Sequence, residues 1–291
     1  MTQAQSVVHL SSRALIALGG VDWRDFLQGL ITQDVETLAV GEIRFGGLLT
    51  PQGRLLFDLF VIGRQEGCWL DVATEHRASL IQRLTMYRLR AKVTIEADDT
   101  EVHAAWDEKP EDAWLPDPRL PALGWRGYYG YYYYGDSPLN SKTTSPPSEP
   151  GIKWTVTLIS DETAYDAHRL ALGIPGPADW GTDKTYPIEA NFDLLNGIDF
   201  QKGCFVGQET TSRMKRRGVI KTRMMPITFE GQAPDSGAEI LNGDLRAGEV
   251  LSVGEGRAMA SLRLDRIGGQ LTVNGQPIGV EQAAWLSDNA P

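Results

Sequence analysis

The chain has 291 residues, 42% of them hydrophobic and 23% charged, with a formal net charge of −10 at pH 7. Such a length suits two or three domains with sizeable cores, and the acidic balance argues against a protein that coats nucleic acid with a basic face. Two distant cysteines exclude a disulfide-rich frame and suit a reducing compartment; no stretch reaches the roughly 18 apolar residues of a membrane span, and the first residues read as neither secretory signal nor transit peptide, so a cytoplasmic protein is expected.

The elements follow from periodicity. Asp22 is placed to cap a helix that carries Phe26, Leu27, Leu30 and Ile31 on one face. Residues 43–62 read as two strands around a turn at Pro51-Gln52-Gly53. In the second strand Leu55, Phe57, Leu59 and Val61 take one side and Leu56, Asp58, Phe60 and Ile62 the other. A carboxylate in that apolar row is costly unless paired. Asp58 is therefore a strand-end residue facing water, the partner of an arginine, or a carboxylate facing a ligand cavity where it would hold an amine. Cys68 to Val72 forms the next strand, with Cys68 on the side of Leu70 and Val72 and so a core residue. Residues 75–90 are helical by spacing, and Val93, Ile95 and Val102–Trp106 mark two more strands. This run predicts an α+β domain with a mostly antiparallel sheet.

Residues 107–151 break the pattern. Pro and Gly are dense, and six of the nine tyrosines lie between Tyr128 and Tyr134. A long surface excursion is expected. A strand at 152–159 and a helix at 162–172 follow, the helix stopped by Gly173 and Pro175. Glu189 opens a short apolar helix with Phe192, Leu194 and Leu195. It is either an acidic first-turn residue or a carboxylate for a ring bearing adjacent N–H donors.

The segment Lys202-Gly203-Cys204-Phe205-Val206-Gly207-Gln208-Glu209 presents one thiol between two glycines. Glycine frees the backbone, and Lys202 and a following helix N-terminus would favour thiolate. A thiolate serves as nucleophile, redox sensor or metal ligand, and a small buried cysteine in a tight turn is the bland alternative. None of His9, His76, His103 and His168 stands in a recognised partner motif, and a complete cluster site needs about four ligands. A cluster on Cys204 would have to be shared with a partner. Arg213, Lys215, Arg216, Arg217, Lys221 and Arg223 form the densest basic stretch: a solvated face, or the seat of an anion or acidic partner. Short strands between 224 and 273, with tight turns at Asn242-Gly243 and Asn274-Gly275, predict a small β-barrel. The domains are taken as 1–221 and 222–291.

The cysteine segment, with Tyr186-Pro187-Ile188-Glu189-Ala190-Asn191-Phe192, Gly197-Ile198-Asp199-Phe200, Leu49-Thr50-Pro51-Gln52-Gly53-Arg54 and Tyr87-Arg88-Leu89-Arg90-Ala91-Lys92-Val93, resembles the YgfZ-type folate-binding proteins of iron–sulfur cluster assembly. That family is similar in fold to the aminomethyltransferase (T-protein) of glycine cleavage. The resemblance implies a ring of three domains around tetrahydrofolate, with Asp58, Glu189, Asn191 and Arg88 as folate-binding candidates. Asp58 matches the catalytic aspartate of the T-protein. Lys202, Gly203, Cys204, Gly207, Gln208 and Glu209 form the motif, and Cys204 would ligate a cluster shared with a partner. The implied function is accessory to assembly of four-iron clusters, without independent turnover, alongside an A-type carrier and client enzymes and with only indirect effects on tRNA modification. The alternative is a tetrahydrofolate-dependent aminomethyl or one-carbon transferase. Direct nucleic-acid and membrane partners are not expected.

Overall fold

A computed structural model of the chain describes residues 7–110, 113–129, 161–218 and 220–287. Strands β1 (Val7–His9) and β2 (Arg13–Gly19) lead into helix α1 (Trp23–Gln28). Then come β3 (Ile43–Leu49), β4 (Leu55–Arg64), β5 (Gly67–Ala73), helix α2 (Arg77–Arg88), β6 (Thr94–Asp98), β7 (Glu101–Ala105), β8 (Leu115–Pro116) and β9 (Trp125–Tyr129). Helices α3 (Thr163–Ala171), α4 (Pro177–Trp180) and α5 (Gln208–Arg217) precede β10 (Thr222–Phe229), β11 (Glu239–Asn242), β12 (Leu245–Val253), β13 (Arg257–Arg263), β14 (Leu271–Val273), β15 (Gln276–Val280) and α6 (Ala284–Ser287).

The fold is α+β. One antiparallel sheet has the order β3-β4-β5-β2-β6, a second has β1-β7-β9-β8, and β10-β13-β12-β11-β14-β15 close a barrel. The inner face of the first sheet, with Leu15, Phe45, Phe60 and Trp69, shares one core with Val8, Val102 and Tyr128 of the second. Its outer face, with Ile16, Leu59, Val61 and Leu70, is covered by Trp23, Leu27, Leu80 and Leu84 of α1 and α2. Two-sided burial explains why β4 reads as an almost unbroken apolar run.

Several expectations are refined. The alternation along β4 holds from Phe57 onward, but Leu48 pairs with Phe57 and Leu49 with Leu55, so a bulge at Leu56 switches the faces. Leu55 thereby joins the side of Asp58 and Phe60. Helix α1 stops at Gln28 because Ile31 turns away to bridge Leu48, and Asp22 spends its carboxylate on the Lys92 N–H at 2.7 Å instead of capping. The segment after Tyr186 is a series of turns rather than a helix, since Asn191 sits at φ 62°, outside helical space. Residues 113–129 are not a surface excursion: β8 and β9 complete the second sheet, with Arg126 and Tyr128 pointing inward. Tyr131–Tyr134 and the strand expected at 152–159 lie outside the described residues. The barrel has a further strand, β15, which the Pro277 and Gly279 in it conceal; it pairs with β10 and closes the sheet. Asn274 and Gly275, at φ 51° and 79°, form its expected tight turn. Among the described residues no helix is long and apolar enough to cross a membrane.

Cys68 is fully buried in the outer core, and desolvation pushes its thiol well above the ordinary range. The native protein is therefore expected to titrate one fast thiol, Cys204, with a soluble disulfide reagent, and a second only after denaturation. Two fast thiols in the folded protein would contradict this packing.

Candidate functional site

The cysteine segment is a loop that leads into α5 and rests on two other pieces of chain. On one side the Val206 N–H donates to the Gly29 carbonyl at 3.2 Å, and the Asp199 N–H donates to the Thr32 carbonyl at 2.9 Å. On the other, the Thr50–Gly53 turn meets the start of α5. A Cβ at Gly53 would stand 2.9 Å from Thr210 Cβ, and one at Gly207 would stand 2.7 Å from the Thr50 carbonyl and 2.9 Å from Gly53 Cα. Both glycines hold positive φ, 86° and 81°. Two chain segments thus touch backbone to backbone, and only glycine permits that approach. Gly203 differs: a Cβ there would meet nothing within 4 Å.

Lys202 does not serve the thiol in the way its position suggests. Its ammonium donates to the carbonyls of Gln28, Ile31 and Gln33 at 2.7, 2.8 and 2.9 Å. These carbonyls lie at and just beyond the C-terminal end of α1, where helix geometry leaves acceptors unpaired. Burial lowers its pKa to about 8. Lys202 is a strap between the loop and the 28–33 segment. Asp199 tightens the same loop by accepting the Gln201 and Lys202 N–H groups at 2.7 and 3.1 Å. On this base Cys204 is exposed, Gln208 half-buried and Glu209 exposed in the first turn of α5. Among the described residues, no group of three or more His, Cys, Asp and Glu could hold a metal ion.

A second charged centre lies between the first and second sheets. Asp58, 2% exposed, accepts from Arg13 at 2.9 Å through Oδ2, while its buried Oδ1 has no hydrogen-bond partner among the described residues. Arg13 also reaches Asp71 at 2.7 Å, and Asp71 accepts from Arg126 at 2.6 Å and from the Tyr128 hydroxyl at 3.1 Å. Arg126 lies 3.6 Å from Asp117, which Arg119 grips through two bonds of 3.0 and 2.8 Å. The three guanidiniums surround the Phe60 ring at 4.0 to 5.4 Å from its centroid. Burial would raise Asp71 and Asp117, but the guanidiniums beside them outweigh it and hold both below the usual carboxylate range. Burial likewise opposes the charge on Arg13 and Arg126, and the neighbouring carboxylates overcome it.

The four residues expected around folate do not form one set. Arg88 is exposed at the end of α2, beside a surface cleft of about 530 Å³ that it lines with Val21 and Leu89. Asn191 is fully buried and committed: its amide donates to the Met224 carbonyl at 2.7 Å and its oxygen accepts from Arg223 at 3.0 Å. Glu189 is half-buried, accepts from the Tyr186 N–H at 3.1 Å, and is pushed above the ordinary carboxylate range by burial. Both polar groups of Asn191 are thus taken within the fold, and Arg88 faces the surface cleft. The basic run also divides. Arg223 is buried against Asp193 at 2.9 Å, whereas Arg213, Lys215, Arg216, Arg217 and Lys221 are exposed. Sequence reasoning missed Arg13, Asp71, Asp117, Arg119 and Arg126. The available signal was Asp71 alternating with Cys68, Leu70 and Val72 in a strand buried on both faces.

Comparisons with known proteins bear on the fold and the relatives of the chain. Residues 221–288 match the CAF17 C-terminal beta-barrel domain. The chain is 32% identical to a mitochondrial iron-sulfur cluster assembly factor IBA57 homolog of Neurospora crassa, over 79% of this chain and 55% of that protein. It is 30% identical to the mitochondrial iron-sulfur cluster assembly factor IBA57 of Homo sapiens, over 80% of this chain and 69% of that protein. In fold it is similar to the glycine cleavage system aminomethyltransferase T of Bartonella henselae, with a TM-score of 0.70 at 17% identity over 98% of this chain and 87% of that chain. The chain spans a little over half the length of the fungal relatives. The expected cytoplasmic location is corrected by these findings, because the relatives are mitochondrial factors. Two reduced cysteines fit any reducing compartment and do not single out the cytosol.

Gly207→Ala is expected to lower the unfolding free energy by about 1–3 kcal/mol, through strained φ and the contact with Thr50, while Gly203→Ala changes it little; urea denaturation compares them. Asp71→Asn should cost about 3–5 kcal/mol at neutral pH by leaving two buried guanidiniums short of a partner. The folded carboxyl values of Asp71 and Asp117 lie below their unfolded values, so their stabilisation is complete above roughly pH 4 and is lost as pH falls through the folded values. The difference between wild type and Asp71→Asn should therefore shrink in acid denaturation series; a difference constant down to pH 2 would contradict the network.

Proposed function

We propose that this chain, which belongs to the IBA57 family of iron–sulfur cluster assembly factors, acts as an accessory factor in that assembly by presenting Cys204 to a cluster held by another protein. The observation that carries this is an exposed thiol on a braced loop. Among the described residues no group of companion ligands could complete a metal site, so a cluster bound through Cys204 takes its other ligands from a partner. Partners of this class are an A-type carrier and the client enzymes it supplies.

Tetrahydrofolate is the small molecule this reading includes. The aminomethyltransferase-like fold supports it, as do the unpartnered Asp58 Oδ1 and the half-buried Glu189. When bound, the folate would supply one-carbon chemistry at its N5 and N10 nitrogens; this chain would contribute the buried Asp58 and half-buried Glu189 carboxylates as acceptors for its N–H groups. Aminomethyl transfer itself is disfavoured, because the carboxylate that would hold an amine is already ion-paired with Arg13.

Cys204→Ala is expected to abolish maturation of four-iron enzymes in a complementation assay in cells lacking the endogenous factor, with folate affinity by calorimetry unchanged. Asp58→Asn should weaken folate binding while shared-cluster absorption with an A-type carrier persists. If Cys204→Ala complements fully and Asp58→Asn does not, the transferase reading replaces this one.

A further inference from the structure

Helix α5 begins four residues after Cys204, and its cations are unspent. The chain carries 28 Lys and Arg against 38 Asp and Glu, so a cation should find a carboxylate readily. Arg13, Arg119, Arg126, Arg169 and Arg223 do so in the interior, and Arg246, Arg257 and Arg263 do so at the surface. Arg213, Lys215, Arg216, Arg217 and Lys221 are exposed, and among the described residues none lies within 4.0 Å of a carboxylate. At 1.5 Å rise per residue, the four cations from Arg213 to Arg217 span about 6 Å of the helix axis, and Lys221 follows beyond the helix.

A second feature adjoins the first. Phe200, in the same loop as Cys204, is 36% exposed, and the Lys215 ammonium lies 5.3 Å from its ring centroid. An exposed aromatic ring beneath a cation resembles the core of a recognition surface, where aromatic and basic groups concentrate. The helix itself is firmly seated: Thr211 is buried, Met214 packs on the main core, and Gly207 is wedged against the Thr50–Gly53 turn. Phe200, Cys204 and the four cations of α5 are therefore carried by one loop-and-helix segment, with Lys221 just beyond it.

From this arrangement we infer that α5 and Phe200 form a docking surface for an acidic protein face, one whose carboxylates surround its own cluster-binding cysteines. The inference rests on the assembly reading for the role of Cys204. Charge complementarity decides for a protein with carboxylates. A net charge of −10 repels an extended polyphosphate along most of the molecule, whereas a compact acidic face can meet the local patch alone. Docking there places the partner's cysteines over the exposed thiol, and electrostatic steering speeds the encounter. The division of labour is clear: Cys204 supplies a ligand, and α5 supplies register.

The test uses the full chain and a purified apo A-type carrier, with affinity measured by interferometry at low and moderate salt. Variants are Arg213→Glu/Arg216→Glu/Arg217→Glu, Phe200→Ser and Cys204→Ser. The triple variant should bind roughly tenfold or more weakly than wild type at low salt, and wild type should lose most of that advantage as salt rises. Phe200→Ser should weaken binding at both salts. Cys204→Ser should keep apo affinity and lose only shared-cluster absorption, so failure of the ligand role and failure of docking are read separately. Poly-L-glutamate should compete and transfer RNA should not. Circular dichroism of the triple variant checks that it is folded; if it is not, the charge-neutralising variant Lys215→Gln/Lys221→Gln carries the comparison. Equal affinity of folded charge variants and wild type, or competition by transfer RNA but not by polyglutamate, would overturn the inference.

Discussion

The structure depends on a network of opposite charges buried between two sheets. Arg13, Arg126 and Arg119 alternate with Asp58, Asp71 and Asp117, and Phe60 fills the space among the guanidiniums. Each charge alone would be costly to bury, and each is tolerable only because the next is within hydrogen-bond reach. The six residues come from β2, β4, β5, β9 and the loop after β8. All of those elements must therefore be in place before the whole network is satisfied. The network couples the packing of the two sheets to the position of β4.

That coupling reaches the thiol. The turn before β4 carries Gly53, whose backbone abuts Gly207 at the start of α5. From the other direction Lys202 ties the loop to the carbonyls after α1. Cys204 is thus held out to solvent by a loop fixed at both flanks. A ligand that must reach across to another molecule benefits from such support, because little ordering remains to be done on binding. The same geometry gives Asp58 a structural occupation, its ion pair with Arg13.

Much of the architecture was legible. Four of the five strands of the first sheet, the second helix and five barrel strands followed from apolar periodicity and turn residues, since a buried face leaves a repeating mark on the sequence; β2, at Arg13–Gly19, was not read. What escaped did so for physical reasons. The strand at Trp125–Tyr129 places an arginine and a tyrosine where apolar residues signal a core, because its inward face meets carboxylates. The strand at Gln276–Val280 contains Pro and Gly, permitted because it closes a barrel through only a short run of pairs. Asn191 reads as a ligand group in sequence and is consumed by Arg223 in space.

By itself, the sequence determined that one cysteine sits between glycines ahead of a basic run, that a second is core, and that an α+β body precedes a small barrel. Local composition suffices for those statements, because each depends on neighbours within a few residues. Only the tertiary structure decided that Lys202 braces the loop, that Gly207 is obligatory where Gly203 is not, and that Asp58 is paired with Arg13. Those facts join residues separated by 45 to 174 positions, and no local pattern specifies which distant group will lie within hydrogen-bond reach.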